Sequence, residues 1–183
     1  MAPQVGRVPQ YMHFAVIQHY YSNLNPNSLE IKVDVLWQNI LPLYFDVRKG
    51  YGIEPHKRPY QGVVKTKSDF IITAVRNDQH EKVVLIQHKC VGHERSAAKW
   101  EGAVEQVTDY MKAARTSSFP VSSKAETMYA IATVGRCSRF YVLLPGEQEL
   151  VDYDKTDGKV YEFKEDEESI DGILLEIVEK TSH

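Results

Sequence analysis

The chain has 183 residues, of which 43% are hydrophobic and 26% charged, with a formal net charge of −3 at pH 7. These proportions are typical of a globular protein, and the length suits one domain that buries a core without disulfides or structural metal. Two cysteines and no CxxC pair exclude a disulfide scaffold and a cysteine-rich zinc site. The apolar runs are too short to span a bilayer, and the first ten residues contain no apolar signal region. We therefore expect an intracellular protein of the cytosol or nucleus, with no membrane partner.

Charge is distributed unevenly along the chain. Residues 1–146 contain 18 Lys and Arg against 12 Asp and Glu, a balance of +6, whereas residues 147–183 contain 4 against 13, a balance of −9. The basic part, residues 1–146, can attract a polyanion, and the acidic C-terminal part can repel a polyanion that approaches on its side of the protein. A solvated surface with an acidic last helix explains the same counts equally well, because charge counts fix no geometry.

Two helices are predicted near the N-terminus. The first covers Tyr11–Tyr21, with an apolar stripe at Met12, Val16 and Tyr20. The stretch NLNPNS breaks the chain, and Asn27 followed by Glu30 three residues later is typical of a capping box that starts the second helix. Pro42 ends or kinks that helix. Its apolar stripe consists of Leu29, Val33, Leu36, Trp37 and Ile40.

The segment Arg48–Lys67 is rich in glycine, proline and charge. It reads either as a plain surface loop or as an extended hairpin arm whose basic side chains contact phosphates. These basic residues are Arg48, Lys49, Lys57, Arg58 and Lys65.

The rest of the chain alternates between strands and helices. The predicted elements are strands Asp69–Val75 and Lys82–Cys90 joined by the turn RNDQHE, helix Ser96–Arg115, strands Met128–Thr133 and Arg139–Leu144, a polar hairpin within Glu149–Phe163, and helix Glu167–Lys180. A helix that crosses between strands predicts an α/β fold with a mixed central sheet flanked by helices. We expect one domain over 1–183, with N-terminal helices in 1–45, a core in 65–145, and an acidic hairpin and helix in 147–183.

Polar side chains interrupt the two central strands. Because side chains alternate faces along a strand, Gln87 and Lys89 point to the same side and His88 points to the other. Asp69 opens the preceding strand of the hairpin, so its carboxylate can reach the end where Gln87 lies. Gln106 and Tyr110 are four residues apart on the following helix and share one of its faces. A carboxylate, an amide and an ammonium are thus expected to converge beside this helix.

This set of side chains suits phosphodiester hydrolysis, which needs a neutralised phosphate and an activated water. Mg²⁺ supplies both and prefers oxygen ligands. Asp69 would be the anionic ligand, the Gln87 side-chain oxygen a neutral one, and the His88 backbone carbonyl a third. Lys89 would orient the attacking water or stabilise developing negative charge.

The pattern resembles the PD-(D/E)XK nuclease superfamily. Its D…(D/E)XK signature corresponds to Ser68-Asp69 and Gln87-His88-Lys89, and Gln106-xxx-Tyr110 is similar to the QxxxY motif of the RecB-like branch. The resemblance implies a restriction-endonuclease-like αβββαβ core and cleavage of nucleic acid, usually DNA, with Mg²⁺ or Mn²⁺. It also implies that Gln106 and Tyr110 help hold the substrate strand and the site. Relatives often carry an acidic residue on the first helix, which makes Glu30 a further candidate ligand, and many act as dimers.

Two positions depart from the pattern. Ser68 replaces the proline, and Gln87 replaces an acidic residue, which lowers the expected metal affinity because an amide oxygen carries no net charge. Three hypotheses therefore stay open: an active nuclease, a catalytically inactive module that binds nucleic acid or a protein, and an enzyme of the same fold with another substrate.

Each candidate residue also has an ordinary structural interpretation. Asp69 could cap a turn, Lys89 could be a solvated edge lysine, and Gln106 with Tyr110 could be a helix flank. His88 and His93 resemble a metal pair, but no further ligand near them completes a zinc site, so neither ring is expected to bind metal. Cys90 is expected to be a small buried side chain rather than a nucleophile.

Overall fold

The computed structural model describes residues 10–55, 69–76, 78–117, 127–153 and 158–182, which form a mixed seven-stranded sheet with helices on both faces. The strands are β1 (Tyr51–Pro55), β2 (Phe70–Arg76), β3 (Gln79–Lys89), β4 (Met128–Val134), β5 (Cys137–Leu143), β6 (Val151–Asp152) and β7 (Tyr161–Glu162). The helices are α1 (Ala15–Ser22), α2 (Glu30–Ile40), α3 (Ala97–Ser117) and α4 (Glu167–Lys180). Short 3₁₀ helices occupy Tyr11–His13, Leu41–Leu43 and Val47–Lys49. The α/β class with a mixed, open sheet agrees with the prediction.

The sheet has the order β1-β2-β3-β4-β5-β6, and β7 also pairs with β5. β2 and β3 form the predicted antiparallel hairpin, with Asp78 at its turn in a left-handed conformation (φ 61°). β3 and β4 are parallel neighbours, and α3 connects them. Two adjacent parallel strands need such a crossover, because the chain must return to the end of the sheet at which the first strand began. The long amphipathic helix therefore lies directly against the end of β3.

Alternation along the strands divides the core into two layers. One face carries Phe70, Ile72, Val84 and Ile86 and packs against α2 and α4. The other carries Ile71 and Leu85 and packs against α3. Because both faces are covered, β4 reads as a fully buried strand, as expected of a parallel-paired central strand. Within the described part of the chain, none of the helices combines the length and hydrophobicity needed to span a membrane.

The N-terminal helix is shorter than predicted, and its predicted apolar stripe is correct only in part. Phe14 is extended and separates the 3₁₀ turn from α1. This break changes the helical phase, so Ile17 is buried whereas Val16 is 49% exposed. Met12 and Tyr20 pack against the core as predicted, as partly buried side chains, and Val16 does not.

The capping box predicted at Asn27 and Glu30 is also wrong. α2 begins at Glu30, its N-cap is Leu29, and no side chain caps it. The preceding loop closes on itself instead, since the backbone N–H groups of Asn27 and Ser28 donate to Asn25. Leu29 is 73% exposed, while the rest of the predicted stripe is buried at Val33, Leu36, Trp37 and Ile40.

Two further segments differ from the prediction. The region expected to be a long loop or arm contains the edge strand β1 in its first part, and Lys57, Arg58, Lys65 and Ser68 lie outside the described residues. The polar segment after Glu149 does not form a hairpin among the described residues, because β6 and β7 both pair with β5. The free edge of β5 offers backbone donors and acceptors to each of these short strands. Helix α4, in contrast, has the predicted bounds.

Candidate functional site

Asp69 and Gln87 meet at the end of the β2–β3 hairpin. Asp69 Oδ2 accepts hydrogen bonds from Gln87 Nε2 at 2.6 Å and from the His88 backbone N–H at 2.6 Å. Gln87 Nε2 also lies 3.4 Å from the His88 carbonyl oxygen. The Gln87 amide nitrogen thus lies between two oxygen atoms that were predicted to be metal ligands, those of the Asp69 carboxylate and the His88 carbonyl. Both side chains are buried, Asp69 being 7% exposed and Gln87 4%.

Lys89 connects the end of the sheet to α3. Its Nζ donates a hydrogen bond to Gln106 Oε1, and both side chains are half-buried. Gln106 therefore holds the ammonium group on the same side of β3 as Gln87, as strand alternation requires. Tyr110, one helical turn later, is 1% exposed in the core between α3 and the sheet. The structure places Gln106 next to Lys89 and Tyr110 deeper beneath it.

Glu30 belongs to the same electrostatic environment. Burial raises the pKa of this half-buried carboxyl, and the negative charge of Asp69 raises it further. Lys89 and His88 act in the opposite direction, and Asp34 adds to the rise. A carboxyl group at the first turn of a helix is normally favoured in its charged form, so the raised pKa here reflects burial first and the nearby acidic groups second.

The sequence analysis missed Asp34, which contacts the His88 ring. His88 Nδ1 donates to Asp34 Oδ1 at 2.7 Å, and the imidazole stacks on Trp37 with ring centroids 6.1 Å apart and an interplanar angle of 6°. His88 is fully buried and Asp34 is 5% exposed. A signal was available in the spacing of Glu30, Asp34 and Trp37, which places two acids and an aromatic on one side of α2.

Asp34, Asp69 and His88 form a compact group of potential metal ligands. Their ligand atoms all lie within 4.8 Å of one another. Two further atoms nearby are buried and have no hydrogen-bond partner among the described residues, Gln87 Oε1 and His88 Nε2. Buried polar atoms without partners are costly in a folded protein. This donor set fits a divalent cation, which attracts carboxylates and accepts lone pairs from amide and imidazole groups.

Other candidates lie apart from this group. His93 is exposed in the loop after β3 and is not among the clustered ligands, and Cys90 is half-buried rather than fully buried. Arg48 pairs with Asp46, and its side chain is 86% exposed. Lys49 is also exposed, and the other basic residues of the predicted arm, Lys57, Arg58 and Lys65, fall outside the described residues, so phosphate contact by the arm stays a prediction.

Comparison of the chain with protein-family models, with curated proteins and with solved structures finds no significant match. Arguments about function therefore depend on the geometry of the residues described above.

Proposed function

We propose that this protein is a metal-dependent nuclease that hydrolyses phosphodiester bonds of nucleic acid, with DNA as the preferred substrate and Mg²⁺ or Mn²⁺ as the cofactor. One observation carries the proposal: the Gln87 amide donates at the same time to Asp69 Oδ2 and toward the His88 carbonyl, while its own oxygen has no partner among the described residues. A hydrogen-bond donor thus occupies the position between two oxygen atoms where a cation would bind. Lys89 lies on the same side of the strand.

The order of elements supports the same proposal. α2, β1, β2, β3, α3 and β4 follow one another as an αβββαβ series, which is the core implied by the resemblance to PD-(D/E)XK nucleases. Asp69 directly precedes β2, the Gln-His-Lys triplet ends β3, and Gln106 with Tyr110 lies on α3. This order of the described motif residues along the elements is compatible with the resemblance and supports the proposal.

A bound cation would neutralise the phosphate and lower the pKa of a water molecule. Asp69, Gln87 through its oxygen and the His88 carbonyl would hold it, and Glu30 is close enough electrostatically to contribute. The Gln87 amide would have to rotate by about half a turn, so that its oxygen instead of its nitrogen faces Asp69. Lys89, held by Gln106, would donate to the attacking water or to a phosphate oxygen.

A second candidate is a catalytically inactive module of the same fold that binds nucleic acid or a protein. The same Gln87–Asp69 hydrogen bond favours it, because an amide supplies no charge where an acidic residue would strengthen metal binding. The two candidates differ in whether a cation displaces this bond.

Cleavage assays separate the two candidates. Labelled single- and double-stranded DNA and RNA are incubated with the protein and Mg²⁺, Mn²⁺ or EDTA, together with Asp69→Ala and Lys89→Ala. We expect metal-dependent cleavage that both variants reduce by at least about 100-fold, the range associated with loss of a charged group at a reacting centre. Lys99→Ala, an exposed lysine of α3, is the matched control and should retain full activity. Binding without cleavage, unaffected by EDTA, would favour the inactive module.

Gln87→Glu tests the ligand assignment directly. A carboxylate at this position adds a negative charge beside Asp69, so we expect tighter Mg²⁺ binding in calorimetric titration and equal or higher cleavage activity. Unchanged metal affinity would show that residue 87 is not a ligand. Gln38→Glu, at an exposed glutamine of α2, is the control for a general gain of negative charge.

A further inference from the structure

We propose that the Asp34 carboxylate and the His88 imidazole join Asp69 to form a binding site for a first-row divalent transition cation, with Mn²⁺ as the probe. The ring of His88 would thus be a ligand, in addition to its backbone carbonyl. Mg²⁺ would be the weaker occupant, because it takes oxygen ligands and keeps several waters, whereas imidazole nitrogen is a typical ligand of transition metals.

The spacing of the donor atoms supports this site. Asp34, Asp69 and His88 each offer one ligand atom, and these atoms lie within 4.8 Å of one another. Two metal–ligand bonds of about 2.2 Å place their ligand atoms at most ~4.4 Å apart. Small rotations of the two carboxylates, with release to water of the proton that His88 Nδ1 donates to Asp34, therefore suffice to bring all three donors to a common cation.

A buried atom without a partner points to a ligand independently of this spacing. Gln87 is 4% exposed and turns its amide toward Asp69, and its Oε1 has no hydrogen-bond partner in the described part of the protein. His88 is fully buried, and the nitrogen that faces Asp34 is Nδ1, at 2.7 Å from Asp34 Oδ1. A cation bound here would therefore use Nδ1 of the ring and would lie beside the unpartnered amide oxygen of Gln87.

Two aromatic neighbours, one of them held by a hydrogen bond, restrict the orientation of the imidazole. The His88 ring stacks on Trp37, whose Nε1 donates to Thr133 Oγ1 at 3.0 Å, and Thr133 Oγ1 lies 3.0 Å from Ser138 Oγ. Phe70 contacts the ring from another direction, with centroids 5.6 Å apart. Residues that orient a ligating histidine commonly contribute to metal affinity by restricting its rotation. The ring is therefore pre-positioned toward Asp34.

The local charge is also suited to a cation. Asp34 and Asp69 bring two carboxyl groups together, and the pKa of Glu30, raised first by burial, is raised further by the negative charges of these two aspartates. Lys89 opposes this effect but is held by Gln106 on the α3 side. A divalent cation between Asp34 and Asp69 would offset the remaining repulsion.

This proposal does not require hydrolysis and can be tested without nucleic acid. The purified protein is titrated with Mn²⁺ alone, and bound Mn²⁺ is examined by pulsed electron paramagnetic resonance, which detects a directly coordinated nitrogen. We expect a nitrogen coupling in the wild-type spectrum. His88→Gln should abolish the coupling, and Asp34→Asn should weaken Mn²⁺ affinity by 10-fold or more.

Matched controls distinguish ligation from a general loss of charge or of histidine. His80→Gln removes an exposed histidine of the same strand, and Asp109→Asn neutralises an exposed acid of α3. Neither should change the spectrum or the Mn²⁺ affinity. Circular dichroism and thermal unfolding of each variant establish that it is folded. If His88→Gln does not fold, the wild-type coupling together with the nearly isosteric Asp34→Asn decides the question.

Bound Mn²⁺ without nitrogen coupling, or an affinity that Asp34→Asn leaves unchanged, would overturn this proposal. The Asp34–His88 contact would then be a structural hydrogen bond only, and the nuclease proposal, which uses the His88 carbonyl, would be unaffected. Nitrogen-coupled Mn²⁺ in a protein that cleaves no nucleic acid would support this metal site and would contradict the nuclease proposal. The two proposals therefore fail through different measurements.

Discussion

The last residues of β3 face two different environments. On the α3 side, Gln87 and Lys89 contact Asp69 and Gln106, and Lys89 and Gln106 keep part of their surface in water. On the α2 side, the intervening His88 is fully buried against Asp34 and Trp37. Strand alternation separates the two sides by one residue. The comparison indicates a division of roles, in which the α3 side can exchange partners with a substrate and the α2 side holds the strand end in place.

The largest effect is expected from removing Trp37 on the α2 side. Its side chain is fully buried, stacks on His88 and donates to Thr133. Trp37→Ala should therefore lower the free energy of unfolding by about 3–5 kcal/mol, the usual cost of truncating a buried aromatic. Urea denaturation followed by circular dichroism measures this change.

Trp37→Phe refines the same experiment. Phenylalanine preserves an aromatic ring beside His88 but removes the hydrogen bond that Trp37 Nε1 donates to Thr133. The expected decrease in the free energy of unfolding is therefore smaller, about 1–3 kcal/mol. If Trp37→Ala costs less than about 1 kcal/mol, the α2 side does not have the rigid role that the comparison assigns to it.

The two sides of β3 were not equally predictable from sequence. Alternation along a strand and the four-residue spacing on a helix are local rules, and they led to the prediction that Asp69, Gln87 and Lys89 converge beside α3, although not to the particular contact of Lys89 with Gln106. Asp34 was not predicted as a site residue because its neighbours on α2 were interpreted as an apolar stripe. A buried acidic residue is recognisable only together with its partner, which here lies on a strand distant in sequence. His88 was set aside for the same reason.

Errors near the N-terminus have a different cause. The predicted capping box required Asn27 to interact with α2, but that residue participates in the turn of its own loop. The phase of α1 depended on a continuous helix, which the extended Phe14 interrupts. A competing local hydrogen bond decides the first case. α4, whose apolar positions repeat without interruption, had no such competitor and was predicted with its observed bounds.

An intermediate effect is expected on the α3 side from removing Gln106, the partner of Lys89. Gln106→Ala should reduce kcat for nucleic acid cleavage by about 10–100-fold, the typical range for residues that orient a functional group. KM should change little, because the ammonium group remains present but less well positioned. Steady-state kinetics measure both values, and the free energy of unfolding should change by less than about 0.5 kcal/mol, since the side chain is only half-buried.

Glu105→Ala removes the adjacent, exposed side chain and should leave kcat unchanged. A Gln106→Ala variant with wild-type kcat would show that Lys89 needs no positioning from α3. A large loss of stability instead would mean that this side of β3 is as rigid as the other.

The smallest effect concerns Glu30, which lies at the start of α2. Burial and the charge of Asp69 hold its pKa above the ordinary value of 4.5, so the ionised carboxylate is disfavoured in the folded protein. A raised folded pKa means that the carboxyl group favours folding most at low pH, and that this advantage is lost as the pH rises through the folded pKa. Glu30→Gln should therefore increase the stability of the metal-free protein at pH 7 by about 0.5 kcal/mol, a small value because water screens a half-exposed group.

The sign of this effect also predicts its pH dependence. The difference in unfolding free energy between Glu30→Gln and wild type should be largest at pH 7 and should disappear below the unfolded pKa, where both side chains are neutral. Urea titrations at several pH values in EDTA measure it, with Glu105→Gln as the exposed control. In Mn²⁺ the order should reverse, because the variant has lost a negative charge that attracts the cation. A variant that is less stable at pH 7 even in EDTA would mean that Glu30 stabilises α2 rather than contributing to a site, and the acidic cluster would then reduce to Asp34 and Asp69.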